Sequence, residues 1–218
     1  MQPLNYYWIL AFSYSIVFAT VIGLVRYKKV LKSYRLFIVF ACLGLLSEIV
    51  STIMVEIKHN NAINANIYVL VEANLLVLLF YDWRSYNKRM LVFLHILLTT
   101  VWIGENLVFG SITYNNSFFR IFYALTIVIL SIDQINVTMM HERKNLAKNA
   151  KFIICSLFVL YFAYKAIYEV FYFVRMPMSD RFYDSLFLIL VYVNLFVNLG
   201  YALAALWIPT KQKFTLPY

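Results

Sequence analysis

Apolar residues run along this chain in long blocks, separated by short polar and mostly basic interruptions. Seven blocks approach the ~20 residues that a helix needs to cross a bilayer. They cover residues 4–25, 36–57, 65–81, 90–110, 118–140, 152–174 and 182–208. The third is the shortest and carries Glu72 and Asn74 within it. Pro3, Pro177, Pro209 and Pro217 all fall outside the blocks, so no proline kink is expected in any helix. No connection exceeds about a dozen residues, which leaves no room for an inserted soluble domain. Residues 1–218 are therefore expected to form one all-α integral membrane domain, a seven-transmembrane helix bundle.

Composition agrees with the pattern. The chain is 63% hydrophobic and 13% charged, whereas soluble domains sit near half apolar and about a quarter charged. The formal net charge of +9 is distributed over the short connections, which reads as an orientation signal and excludes a nucleic-acid surface. Fourteen Lys and Arg residues lie after blocks one, three and five and in the tail, four lie on the other side, and Lys165 is inside a block. That bias predicts an outside N-terminus and a cytoplasmic C-terminus. The first block lacks a basic leader and is followed by Arg26-Tyr27-Lys28-Lys29, as expected of a retained span. Tyr6, Tyr7 and Trp8 at one edge, and Tyr81, Trp83, Tyr86 and Trp207 at the other, fit interfacial aromatic belts.

The candidate chemistry is the set of polar residues inside the apolar blocks. A charge in hydrocarbon costs ~3 kcal/mol or more, so such residues face a protein interior or a water-filled cavity. Lys165 and Glu169 lie one helical turn apart, on a block that also carries Tyr161, Tyr168 and Tyr172. Glu48, Thr52 and Glu56 form one stripe, and Tyr68 and Glu72 lie one turn apart. Glu105 adds a further acid. The expectation is an outward-facing ligand pocket built from Lys165, Glu169, Glu48, Glu72, Glu105, Tyr68 and Tyr161. Glu169 is expected as the nearest partner of Lys165, and Glu56 is assigned to the headgroup region. Asp133, Asn194 and Asn198 lie in the inner half or near the midplane and are the candidates for relay or coupling.

His59, His95 and His141 fall at different levels, so no metal centre is expected; no cofactor motif and no catalytic set appears. Cys42 and Cys155 read as small apolar residues and not as a disulfide. Seven spans with an outside N-terminus resemble the layout of rhodopsins and G-protein-coupled receptors. Block seven, however, has neither the retinal lysine nor the receptor proline, and Asp82-Trp83-Arg84 stands where the receptor arginine motif would be. The paired Pro-Gln motifs of small sugar transporters are absent too. The resemblance extends to architecture alone.

The reading that follows is a bacterial cytoplasmic (inner) membrane sensor. It would bind a small ligand or cation and signal to a cytoplasmic protein through the basic loop at residues 141–151. A proton- or small-cation-translocating transporter or channel is the alternative, with a carboxylate chain from Glu48 and Glu72 to Asp133. An intramembrane lipid-modifying enzyme is the second alternative, and a non-enzymatic role is favoured over it.

Overall fold

A computed structural model describes residues 6–84, 87–141, 146–174 and 176–210. Tyr86, residues 142–145 of the basic loop, and the tail at 211–218 lie outside the described residues. The described chain is all-helical, with one isolated bridge between Val30 and Thr210 as its only β pairing. Seven helical spans are long and apolar enough to cross a membrane. The first consists of α1 (Tyr6–Ser13) and α2 (Ile16–Arg26). The next three are α3 (Arg35–Lys58), α4 (Ala62–Arg84) and α5 (Lys88–Ile103). Then follow α6 (Ser117–His141), α7 (Ala150–Val174) and α8 (Asp180–Trp207).

Two spans depart from plain α-helix, and neither departure involves proline. The first breaks at Tyr14 and Ser15, where the Ser15 hydroxyl donates to the Phe12 carbonyl at 2.5 Å. A serine hydroxyl competes with the backbone for such acceptors, which weakens a helix interior. The fourth span ends in a π-turn over Gly104–Val108. Gly110 then folds back so closely that a Cβ there would stand 2.5 Å from the Glu105 carbonyl oxygen.

Packing places α2, α3, α4, α6, α7 and α8 in a closed ring, with α5 outside against α4 and α6. Rigid side chains fix the two ends. At the Trp207 end, Arg26 donates to the carbonyls of Ala205 and Ile208, which have no partner within α8. Leu31 donates to Pro209 there, clasping the first connection to the last helix. At the Tyr6 end, Asn60 and Asn66 donate to the Thr113 and Tyr114 carbonyls, joining the connection 59–61 and α4 to the connection 109–116.

Trp83 is not a belt residue. It is 7% exposed, donates to the Ser33 carbonyl at 2.9 Å and packs against the Tyr34 ring at a tilt and the Phe80 ring edge to face. Tyr6, Tyr7, Trp8 and Trp207 are exposed, as a belt requires. Between the ends, Phe37, Phe40, Phe80, Phe158 and Tyr201 form a continuous aromatic cluster with ring centres about 6 Å apart. This cluster closes the centre of the bundle on its Trp207 side and sets the floor of the site.

Candidate functional site

Lys165 lies near the middle of α7, where its ammonium meets three helices. Its Nζ is 3.7 Å from Glu72 Oε2 of α4 and donates to the Tyr123 hydroxyl of α6. Tyr123 in turn donates to Glu72 Oε2 at 2.8 Å, and Tyr68 donates to Glu72 Oε1 at 2.9 Å. The rings of Tyr123, Tyr161 and Phe162 stand 5.1, 5.4 and 5.8 Å from Nζ, within cation–π range. Glu72 is beside the midpoint of α4, which runs from Ala62 to Arg84. Both oxygens of this carboxylate are bonded and its countercharge is in place, the condition under which a buried ion pair is tolerated.

A second pair lies one turn (~6 Å) nearer the Tyr6 end. Glu169 does not turn to Lys165. Its Oε1 meets Arg120 at 3.3 Å, and its Oε2 accepts from Ser117 at 2.6 Å. Arg120 also donates to the Asn66 side-chain oxygen at 3.1 Å, while Asn66 donates to the carbonyls of Ile112 and Tyr114. Trp102 donates to the Asn66 carbonyl at 2.8 Å. Helical spacing pointed to Lys165 as the partner of Glu169, but α6 contributes a competing arginine from its first turn.

Glu105 belongs to neither pair. Its two oxygens accept from the backbone N–H groups of Phe118 and Phe119 at 2.8 and 2.6 Å, which caps α6. A carboxylate at this position satisfies otherwise orphaned donors and complements the helix dipole. Glu105→Ala is expected to cost about 1–2 kcal/mol, read as a lowered unfolding temperature in detergent. Glu105→Gln is expected to lose less. Glu56 is exposed in the last turn of α3.

Between α1–α2, α3, α4, α7 and α8 lies a cavity of about 70 Å³. That volume holds about five waters or one small molecule. Glu48, Glu72, Tyr68, Tyr161, Asn194, Asn198 and Tyr201 line it, together with Phe40 and Ile16. Several of these groups are already committed. Tyr68 and Glu72 bond each other, and Asn198 donates to Ser15 at 3.0 Å. Others are not. Tyr201 is 2% exposed, yet its hydroxyl has no hydrogen-bond partner among the described residues. The Glu48 carboxylate has no hydrogen bond or ion pair among the described residues. Tyr201 is buried and Glu48 half-buried; a buried polar group without a partner is costly unless something occupies the space beside it.

The remaining candidates are elsewhere. Asp133 pairs with Arg84 at the Trp207 end of the bundle, and both side chains are about a third exposed. It lies ten residues beyond Tyr123 on α6, or ~15 Å. Leu76, Phe80, Ile127, Leu130, Ile154 and Phe158 pack that side of the bundle and are all at most 5% exposed. The structure therefore gathers Glu48, Glu72, Tyr68, Tyr161, Asn194 and Asn198, with Lys165 behind Tyr161. Glu169, Glu105 and Asp133 go to other partners.

Sequence reasoning passed over Tyr123, Arg120 and Asn66. Arg120 and Tyr123 are three residues apart on one helical face, which is the signal that was available. The described residues contain no cluster of metal-ligating side chains, and both cysteines are free. The chain matches no protein-family model, no curated protein and no solved structure.

Proposed function

We propose that this chain is a multi-pass membrane receptor that binds a small organic cation in the cavity between α2, α3, α4, α7 and α8. One observation carries the reading. The cavity presents the Glu48 carboxylate and the Tyr201 hydroxyl without partners, in a setting where Glu72 is already neutralised by Lys165. The carboxylate left over selects a positive charge. Phe40, Tyr68, Tyr161 and Tyr201 contribute aromatic surface, and an ammonium group is stabilised over such faces. Asn194 and Tyr201 supply further hydrogen bonds for orientation.

The bias of basic residues supports an outside N-terminus and a cytoplasmic Trp207 end; the proposed setting is a bacterial inner membrane. Signalling would then pass to a cytoplasmic protein at the basic connections, including residues 141–151. The aromatic floor and the apolar residues between Glu72 and the level of Ser131 and Gln134, which are buried beside Asp133, favour binding over translocation, because a proton or cation path needs polar steps along its length.

The test is a thermal-shift screen of small primary and quaternary amines on the purified chain in detergent. A ligand present at a hundredfold excess over its Kd stabilises by ~2.7 kcal/mol. Wild-type protein is expected to gain a several-degree shift from at least one amine, and Glu48→Gln is expected to lose it while keeping its own unfolding temperature. A shift that survives Glu48→Gln and Tyr201→Phe would overturn the assignment. So would Asp133-dependent proton flux in liposomes.

A further inference from the structure

On the opposite side of α3 from the cavity, α2 and α3 leave a groove between them. Leu24, Tyr27, Ile38, Val39, Cys42, Leu43 and Leu46 line it, with a volume of about 320 Å³. It is apolar except at one end. From Ile38 to Leu46 it follows eight residues of α3, or ~12 Å. That is close to half the ~30 Å hydrocarbon thickness, the depth of a single leaflet. Leu24 and Leu46 are each 55% exposed, so the groove opens on the outer surface of the bundle.

The end of the groove at Tyr27 is strongly basic. The connection from residue 26 to residue 35 contains Arg26, Lys28, Lys29, Lys32 and Arg35 and no acid. Arg26 is committed to the carbonyls at the end of α8. Lys28, Lys29 and Lys32 are exposed and have no acidic partner among the described residues. Arg35 lies over the Tyr27 ring at 5.1 Å, and its Nε is buried without a hydrogen-bond partner among the described residues. A guanidinium at this end of the groove pairs well with phosphate oxygens, whose geometry matches its fork of N–H donors.

We infer that this groove is a binding site for one anionic phospholipid. An acyl chain lies along Val39, Cys42 and Leu43, and the phosphate sits against Arg35 with Lys28 and Lys29 beside it. A neutral lipid fills the groove equally well but leaves the basic cluster unbalanced. An inorganic anion satisfies the cluster but leaves the groove empty. Occupancy couples the first connection to the bilayer, at the end of the bundle where Arg26 and Leu31 clasp α8. The inference rests on the membrane reading and is independent of what the cavity binds.

The test uses the purified full chain in detergent and native mass spectrometry, with phosphatidylglycerol and phosphatidylcholine of identical chains. Phosphatidylglycerol is expected to be retained about tenfold more tightly. Arg35→Gln should lower its affinity about fivefold, the effect of one basic contact near a headgroup. Lys28→Gln/Lys29→Gln provides the same readout should Arg35→Gln fail to fold. Leu43→Trp, which fills the groove, should remove the retention. Equal retention of the two lipids would overturn the inference, as would binding indifferent to all three variants. Displacement by millimolar inorganic phosphate would reduce it to an anion site without an acyl groove, which also overturns it. A chain that fails to partition into detergent at all would instead defeat the membrane reading.

Discussion

Replacing Lys165 by methionine is expected to destabilise the protein by about 3–5 kcal/mol, the range found when one partner of a buried ion pair is removed. Glu72 is 3% exposed and the Lys165 side chain 11%, so solvent cannot substitute for the missing ammonium. Two hydroxyls, from Tyr123 and Tyr68, would still donate to the carboxylate. Hydrogen bonds offset only part of the cost of an uncompensated charge. The double variant Lys165→Met/Glu72→Gln should recover most of the loss, because a neutral amide accepts from one tyrosine, can donate to the hydroxyl oxygen of the other and needs no countercharge. Thermal or denaturant unfolding in detergent measures both. Should the double variant be no more stable than the single, Lys165 contributes through its stem and the surrounding rings, and the charge account fails.

The spans were largely legible from the apolar pattern, because seven blocks of sufficient length admit little besides seven helices. Their ends were not. The α4 helix extends to Ala62 and Arg84, beyond the apolar block at 65–81, since polar residues continue a helix wherever its backbone bonds can close. The extension adds three residues at each end, so Glu72 stays beside the midpoint of its helix. The break at Ser15 escaped notice for a related reason. Hydropathy registers serine as a small perturbation, while its hydroxyl reorganises the local backbone.

The site was legible by residue and not by pairing. Spacing along one helix brought Lys165 and Glu169 together and placed Tyr68 beside Glu72, and the second of these is a real contact at 2.9 Å. Spacing says nothing about the rotation of one helix against another. That rotation decides whether Lys165 meets Glu169 or Glu72. The same blindness made Glu105 a member of the acidic pocket, when the turn after α5 directs it to the first backbone groups of α6. Asn194 and Asn198 share a face of α8, and the structure places both on the cavity.

The second large effect is expected at Arg120. Arg120→Met should cost about 3–5 kcal/mol through the same mechanism, as the Arg120 and Glu169 side chains are only 13% and 7% exposed. Its consequences should spread further than those at Lys165. Arg120 also donates to the Asn66 side-chain oxygen, and Asn66 ties α4 to the 109–116 connection. Hydrogen exchange should therefore rise selectively in residues 109–116 of Arg120→Met, and remain unchanged there in Lys165→Met. The two pairs are also close enough to couple. Glu169 follows Lys165 by one turn, and Tyr123 follows Arg120 by three residues, so the cations and acids form a short ladder between α6 and α7. In Arg120→Met the released Glu169 has Lys165 as the nearest remaining cation. If the ammonium leaves Glu72 for Glu169, a second unpaired carboxylate is created at the cavity wall. The double variant Arg120→Met/Lys165→Met should then be less stable than either single, by more than the sum of the two losses, because no cation is left to rescue either carboxylate. Full additivity would mean that the two pairs act separately and that Lys165 stays with Glu72 whatever happens to Arg120.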